Sequence, residues 1–208
     1  MHLMPREREQ ETSMDLYIEI TAVAVGLLYL WLEYRASVYL WPVSVVMPAI
    51  YLYVYYNAGI YGNFWINIYY FLIALYGMWQ WKYGGKSTAS GKDAIAITHL
   101  SLKGWLSALG VYAVAQTLIL WGLTAYTDST TAVLDSFTTA LSIVGMWLLA
   151  RKNIEHWWVW FVADIAGCAL YIQGKLYPTA VLYALYAVVA IFGYLNWKRL
   201  MQHESGQP

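Results

Sequence analysis

WLEYRASVYLWPVSVV, residues 31–46, and WLLARKNIEHWWVWFV, residues 147–162, carry one pattern 116 residues apart. Trp31 falls on Trp147, Arg35 on Arg151 and Trp41 on Trp157. Carried onward without a gap, the same offset sets Tyr55 on Tyr171, Tyr61 on Tyr177 and Tyr70 on Tyr186. Gly77 then meets Gly193, Trp81 meets Trp197 and Lys82 meets Lys198, while Glu19 meets the similar Asp135. A tryptophan-rich chain gives some such matches by chance. Matches that keep their order, their helix ends and their loop arginines do not arise that way, and repetition constrains a fold before any single residue does.

Composition says where this fold sits. Of 208 residues 61% are hydrophobic and only 12% charged, against about 25% charged in a soluble domain. Twelve Trp and 20 Tyr add the residue types that gather at bilayer interfaces and line polar cavities. The chain therefore reads as an all-α integral membrane protein. Zero net charge argues neither for nor against nucleic-acid binding, and the scattered basic residues argue against it. The single Cys168 excludes an internal disulfide and a cysteine metal cluster. The four histidines, His2, His99, His156 and His203, fall away from the predicted span centres. That removes most schemes for a membrane-embedded enzyme, and no cofactor is expected.

About 20 apolar residues cross a bilayer as a helix. Seven candidates follow, near 16–34, 38–56, 60–82, 104–126, 134–150, 156–173 and 178–197, several of them separated by turn signals such as Asn57-Ala58-Gly59. The implied domains are a polar N-terminal extension (1–15), a first three-helix repeat (16–83) and a cytoplasmic loop (84–103). A connector helix (104–126), a second three-helix repeat (134–199) and a C-terminal tail (200–208) complete the chain. MHLMPREREQETSMD mixes four acids with two arginines and is not followed by a small-residue cleavage site, so it is not a signal peptide. GGKST in the loop lacks the phosphate-loop glycine, because Gln80 stands in its place. Nine Lys and Arg lie in loops on one side and three on the other. That asymmetry places the C-terminus in the cytoplasm and the N-terminus outside.

Spans one to three match spans five to seven, and span four is left over. Four crossings separate the two repeats, so both enter the membrane from the same side. This is a 3+1+3 parallel repeat, the arrangement of full-length SWEET-like transporters, whose substrates bind near mid-membrane between the repeats.

The symmetry also says which faces to inspect. Trp157, Trp160 and Asp164 share one face of span six, opposite Trp41, Ser44 and Pro48 in span two. Asn63, Asn67 and Tyr70 share a face of span three, matched by Thr179, Tyr183 and Tyr186 in span seven. An acid at the membrane centre costs about 2.5–3.5 kcal/mol on insertion scales, so Asp164 reads as functional, with a structural hydrogen bond to a Tyr or Trp as the bland rival. Trp158 reads equally as an interface anchor and Asn67 as interhelical glue. Tyr69, Tyr70, Tyr183 and Tyr186 have ordinary packing as their rival. Glu33 and Arg35 read as cytoplasmic boundary, Asp135 as the cap of span five, and Pro42, Pro48 and Pro178 as candidate bends. Indole faces beside a carboxylate suit a flat aromatic cation, at about 0.5–2 kcal/mol per cation–π contact.

These residues resemble a known family. DSFTTALSIVGMWLLARKNIEHWWVWFVADIAG and the closing GYLNWK are similar to the second half of the PnuC family of bacterial vitamin transporters; WPVSVVMPAIYLYVYYNAGIYGNF and YGMWQWK are similar to the first. The resemblance spans roughly residues 16–200. It implies a seven-helix SWEET-like homotrimer in the bacterial inner membrane, carrying an unphosphorylated vitamin downhill, with a cytosolic vitamin kinase trapping the product. YLWLEYRAS, MPAIY and INIYY look more like the thiamine branch, so thiamine is the expected substrate and nicotinamide riboside the alternative. A proton-coupled carrier, with Asp164 as relay, is a further alternative. Carried over by position, the site comprises Trp157, Trp160, Asp164, Asn67, Tyr70, Tyr183 and Tyr186, with Asn63 on the same face.

Overall fold

The computed structural model describes residues 24–58, 61–85 and 95–204. The expected N-terminal extension (1–15), the start of the first span and residues 86–94 of the polar loop lie outside the described residues. Seven helices run through the rest. They are α1 (Ala24–Tyr34), α2 (Leu40–Ala58), α3 (Tyr61–Tyr83), α4 (Leu102–Tyr126), α5 (Ala132–Ala150), α6 (His156–Gln173) and α7 (Tyr177–Glu204). They follow the expected spans closely, except that α7 continues through residues 200–204, where a tail was expected. Three of them, Leu102–Tyr126, Ala132–Ala150 and Tyr177–His203, are long and apolar enough to cross a bilayer by themselves. The others give many positions to tyrosine, tryptophan and polar residues, which lower mean hydropathy without shortening the helix.

Local chemistry sets the helix ends. Ser101 caps α4 by accepting the Gly104 N–H at 3.2 Å. The α5 cap is Thr131, not Asp135; Asp135 sits in the first turn, where its carboxylate accepts from the Thr131 hydroxyl at 2.8 Å and the Ser129 hydroxyl at 3.2 Å. Three ends close through a left-handed residue that is not glycine: Ala36 (φ 50), Lys152 (φ 57) and Lys175 (φ 58). After α5, Lys152 N donates to Leu149 O at 2.9 Å and Asn153 N to Leu148 O at 3.0 Å, the two bonds of a Schellman motif. The same two bonds recur 116 residues earlier: Ala36 N donates to Glu33 O and Ser37 N to Leu32 O, both at 2.9 Å.

The same offset recurs in packing. Arg35 lies over the Trp31 ring at 5.0 Å, and Arg151 over Trp147 at 5.0 Å. Trp41 meets Trp81 edge to face at 5.5 Å, and Trp157 meets Trp197 edge to face at 6.0 Å. Gly77 lies under the Trp41 ring and Gly193 under the Trp157 ring, so close that a Cβ on Gly193 would stand 2.5 Å from Trp157 Cη2. Trp81 and Trp197 touch at 5.9 Å and join the two pairs into a buried string of four indoles. Each also donates across the string: Trp81 Nε1 to Leu149 O at 3.0 Å, and Trp197 Nε1 to Glu33 O at 2.8 Å.

Helix α6 packs on α7, α2 on α3, and α5 on α6, α4 and α3. Helix α4 is peripheral, with Leu106, Leu109, Val114 and Leu118 exposed. The expected solvated loop 84–103 is not uniformly so. Residues 95–100 lie against the α5–α6 turn, where Thr98 and Asn153 form a parallel bridge and Ile97 is buried. Of the candidate bends, Pro42 and Pro178 fall in first turns, where a missing N–H breaks no helical bond. Pro48 alone lies inside its helix.

Candidate functional site

A cavity of about 560 Å³ opens among α1, α3, α5, α6 and α7, within the range of small-ligand sites. Helical spacing brings Trp157, Trp160 and Asp164 from α6 onto its wall. Tyr183 and Tyr186 come from α7 and Tyr70 from α3. Six of the eight sequence-derived site residues thus meet at one cavity. Asn67 is half-buried on α3 and does not line it. The Asn63 side chain lies outside the described residues.

Glycines allow this shape. Trp160 lies flat against α5 at Gly145, where an added Cβ would come within 3.2 Å of Cε2. Tyr183 fills the space at Gly167 on α6, where a Cβ would stand 2.5 Å from Cδ1. Tyr183 in turn stacks near Tyr171 at 4.8 Å and Tyr186 at 5.8 Å. One wall is therefore indole and the other phenol. The Trp160 and Trp157 Nε1 atoms are buried and have no hydrogen-bond partner among the described residues. Trp158 points away: it is 45% exposed and packs on Tyr194 and Phe161. Tyr69 also leaves the cavity, donating its hydroxyl to Ile143 O at 2.6 Å and so tying α3 to α5.

The cavity holds two more acids that sequence reasoning assigned elsewhere. Glu33, expected at the boundary, is 2% exposed and lines the cavity. Asp135, expected as a cap, lines it too. Together with Asp164 they make three carboxylates, and among the described residues no lysine, arginine or histidine lines the cavity. Tyr29, Ser142 and Tyr171 were also missed. The signal for Tyr171 was on the page, since it is one of the tyrosines that repeat at the 116-residue offset. For Glu33 there was none, because an acid one residue before a helix end is ordinarily solvated.

A smaller apolar cavity of about 260 Å³ adjoins the first, between α1, α2 and α3. Gly26, Tyr29, Tyr70 and Met146 line both and so form the partition. Tyr29 reaches across it, its hydroxyl 3.8 Å from Met146 Sδ. Ser44 and Pro48, the repeat mates of Trp160 and Asp164, line the smaller cavity.

Comparison with known proteins places the chain in a family. The family model for the nicotinamide mononucleotide transporter matches residues 16–199. The chain belongs to that family. It is a membrane transporter family, and its members are not enzymes. Among relatives of this PnuC-type chain is the nicotinamide riboside transporter PnuC of Neisseria mucosa, 24% identical over 93% of this chain and 76% of its own length. The riboflavin/roseoflavin transporter RibM of Streptomyces davaonensis is 25% identical, over 88% of this chain and 84% of its own. A crystal structure of the vitamin B3 transporter PnuC superposes with a TM-score of 0.62, at 22% identity, covering 86% of this chain and 79% of that one. That likeness establishes the PnuC-type fold. The thiamine expectation draws no support from these relatives, whose names specify nicotinamide riboside and riboflavin.

Proposed function

We propose that this chain carries a cationic, unphosphorylated vitamin across the bacterial inner membrane, and that nicotinamide riboside fits better than thiamine. One observation carries the cationic reading: three carboxylates and two indole faces line one cavity with no basic lining residue among the described residues; the preference for the riboside over thiamine is supported by relatives named for nicotinamide riboside. A pyridinium ring is attracted by the indole faces and by Asp164. A phosphorylated substrate would bring negative charge to three acids with no cation to receive it, which favours the riboside over the mononucleotide. Riboflavin lacks the positive ring. The residues that pointed to thiamine, in the stretch INIYY, support it weakly, since Asn67 and Tyr69 do not line the cavity.

The substrate-binding set is Trp157, Trp160, Asp164, Tyr70, Tyr183 and Tyr186 with Asn63 as the resemblance implies, and Asn67, which does not line the cavity, acts indirectly. The reading includes seven transmembrane helices in a 3+1+3 parallel, SWEET-like repeat. The turns, indole pairs and glycine contacts that recur at one offset support it. The distribution of basic residues supports a cytoplasmic C-terminus and an external N-terminus. Homotrimeric assembly and trapping by a cytosolic vitamin kinase follow from the family resemblance. Transport proceeds by rocking one three-helix unit against the other.

The test is calorimetric titration of the purified chain with nicotinamide riboside, thiamine and riboflavin separately. Binding of the riboside alone is the expected result. Thiamine binding without riboside binding would restore the thiamine branch, and riboflavin binding would refute the cation argument altogether.

A further inference from the structure

Glu33, one of the three carboxylates of the cavity, is buried together with His156, which has no part in the reading above. His156 is the first residue of α6, has no solvent exposure and lies between the rings of Trp157 (4.7 Å) and Trp197 (4.5 Å). Its Nδ1 is 2.8 Å from Asn153 O. A carbonyl oxygen only accepts, so Nδ1 carries a hydrogen and donates it. The other nitrogen, Nε2, is 3.4 Å from Glu33 Oε1. Neither of these two atoms has a hydrogen-bond partner among the described residues. With Nδ1 already protonated, a neutral His156 would turn a bare lone pair toward a carboxylate oxygen. Two acceptors meeting in a buried site is unfavourable unless one further proton sits on the pair, on Nε2 or on Glu33.

We propose that Glu33 is a substrate-binding carboxylate whose negative charge is masked by one proton shared with His156, and that a bound cation displaces this proton. The inference rests on the cationic-substrate reading. With the proton the pair is neutral, and without it the pair carries one negative charge that complements a positive ring. The proton leaves to solvent as the cation arrives, so charge in the cavity is conserved. Affinity then rises with pH, because raising pH removes the competitor.

Other groups face the pair from every side. Asp164 on α6 and Tyr29 on α1 are within electrostatic reach of Glu33. Asp135 on α5, Tyr70 on α3, and Tyr183 and Tyr186 on α7 line the same cavity. Behind His156, Glu155 accepts from Leu100 N at 2.9 Å and contacts His99 Nδ1 at 2.8 Å, and Lys152 Nζ donates to Ile95 O at 2.9 Å. Arg35, close to Glu33 in sequence, stacks on Trp31. Glu33 is distinguished from Asp135 and Asp164 by the histidine at its oxygen.

The experiment is calorimetry of the full chain with nicotinamide riboside and with thiamine, in two buffers of different ionisation enthalpy. Wild type should release about one proton per cation bound, with affinity rising up to about tenfold per pH unit. Glu33→Gln keeps the backbone carbonyl that Trp197 uses; it should release no proton and lose the pH dependence. Glu33→Asp should retain both. Binding without proton release, or equal release from Glu33→Gln, would overturn the proposal and leave the substrate reading intact. If neither vitamin binds, the substrate reading fails, and infrared titration of the ligand-free chain decides this one. A carboxyl or imidazolium signal that titrates in wild type and is lost in Glu33→Gln supports the shared proton; the absence of both signals overturns it.

Discussion

Trp197 donates its indole N–H to the carbonyl of Glu33 at 2.8 Å, joining the end of α7 to the end of α1. Asn196 adds a bond from Nδ2 to Tyr34 O at 2.8 Å. The mate of Trp197, Trp81, does the same toward Leu149 at 3.0 Å. Each sequence half thus holds the other at one end of the helices, the end with Arg35 and Arg151. A hydrogen bond of this kind contributes about 1 kcal/mol net. Trp197→Phe keeps one six-membered ring and removes the donor with the rest of the indole. It should lower stability by about 2–4 kcal/mol, because the Glu33 carbonyl is left buried and unpaired and a cavity opens beside it, and should speed opening at that end. Thermal unfolding and the rate of uptake into vesicles check the two halves of this expectation.

Gly193→Ala places a methyl 2.5 Å from Trp157 Cη2, where no real Cβ fits. The ring must move, which should destabilise by about 1–3 kcal/mol and weaken substrate binding at the same time. Gly110→Ala on α4, which meets nothing within 4 Å, should be neutral or slightly stabilising. Equal unfolding temperatures for the two variants would contradict the packing described.

Trp160→Ala and Asp164→Asn separate the two parts of the cation argument. Loss of the indole removes about 0.5–2 kcal/mol of cation–π attraction and should weaken riboside binding by roughly threefold to thirtyfold. Loss of the charge at Asp164 should weaken it by about tenfold or more, given about 1.5–3 kcal/mol for a charged contact. A neutral vitamin analogue of the same shape should notice Trp160→Ala more than Asp164→Asn. Titration with the charged and neutral pair gives the comparison.

Tyr29→Ala removes the side chain that reaches across the partition to Met146. The two cavities, about 560 Å³ and about 260 Å³, should then communicate. Affinity for a bulky tricyclic ring should rise relative to that for a single ring. Competition between riboflavin and nicotinamide riboside reads this directly, and an unchanged ratio would mean that Tyr29 does not set the size limit.

The helices were legible in the sequence because long apolar runs leave few alternatives, and the 116-residue offset named the contacts that recur. Trp157, Trp160 and Asp164 were legible because helical spacing alone puts them on one face. Glu33 and Asp135 were not. Both lie within a turn of a helix end, where an acid is usually solvated or capping, and only tertiary packing buries Glu33 against His156. Asn67 misled for the opposite reason: it shares a helical face with Tyr70, yet that face is wide enough for one residue to reach the cavity and the other to miss it.

Helix α6 is flanked in sequence by two helices that are apolar enough to cross a bilayer unaided, Ala132–Ala150 and Tyr177–His203, while α6 itself does not reach that standard. It carries Asp164, and a lone acid raises the cost of entering lipid. The consequence falls on biogenesis. During synthesis α6 is best admitted to the membrane in company, paired with α5 behind it and α7 ahead, so that the acid is covered by neighbouring helices before it meets hydrocarbon. The acid that lines the cavity thereby makes this half of the chain assemble as a unit.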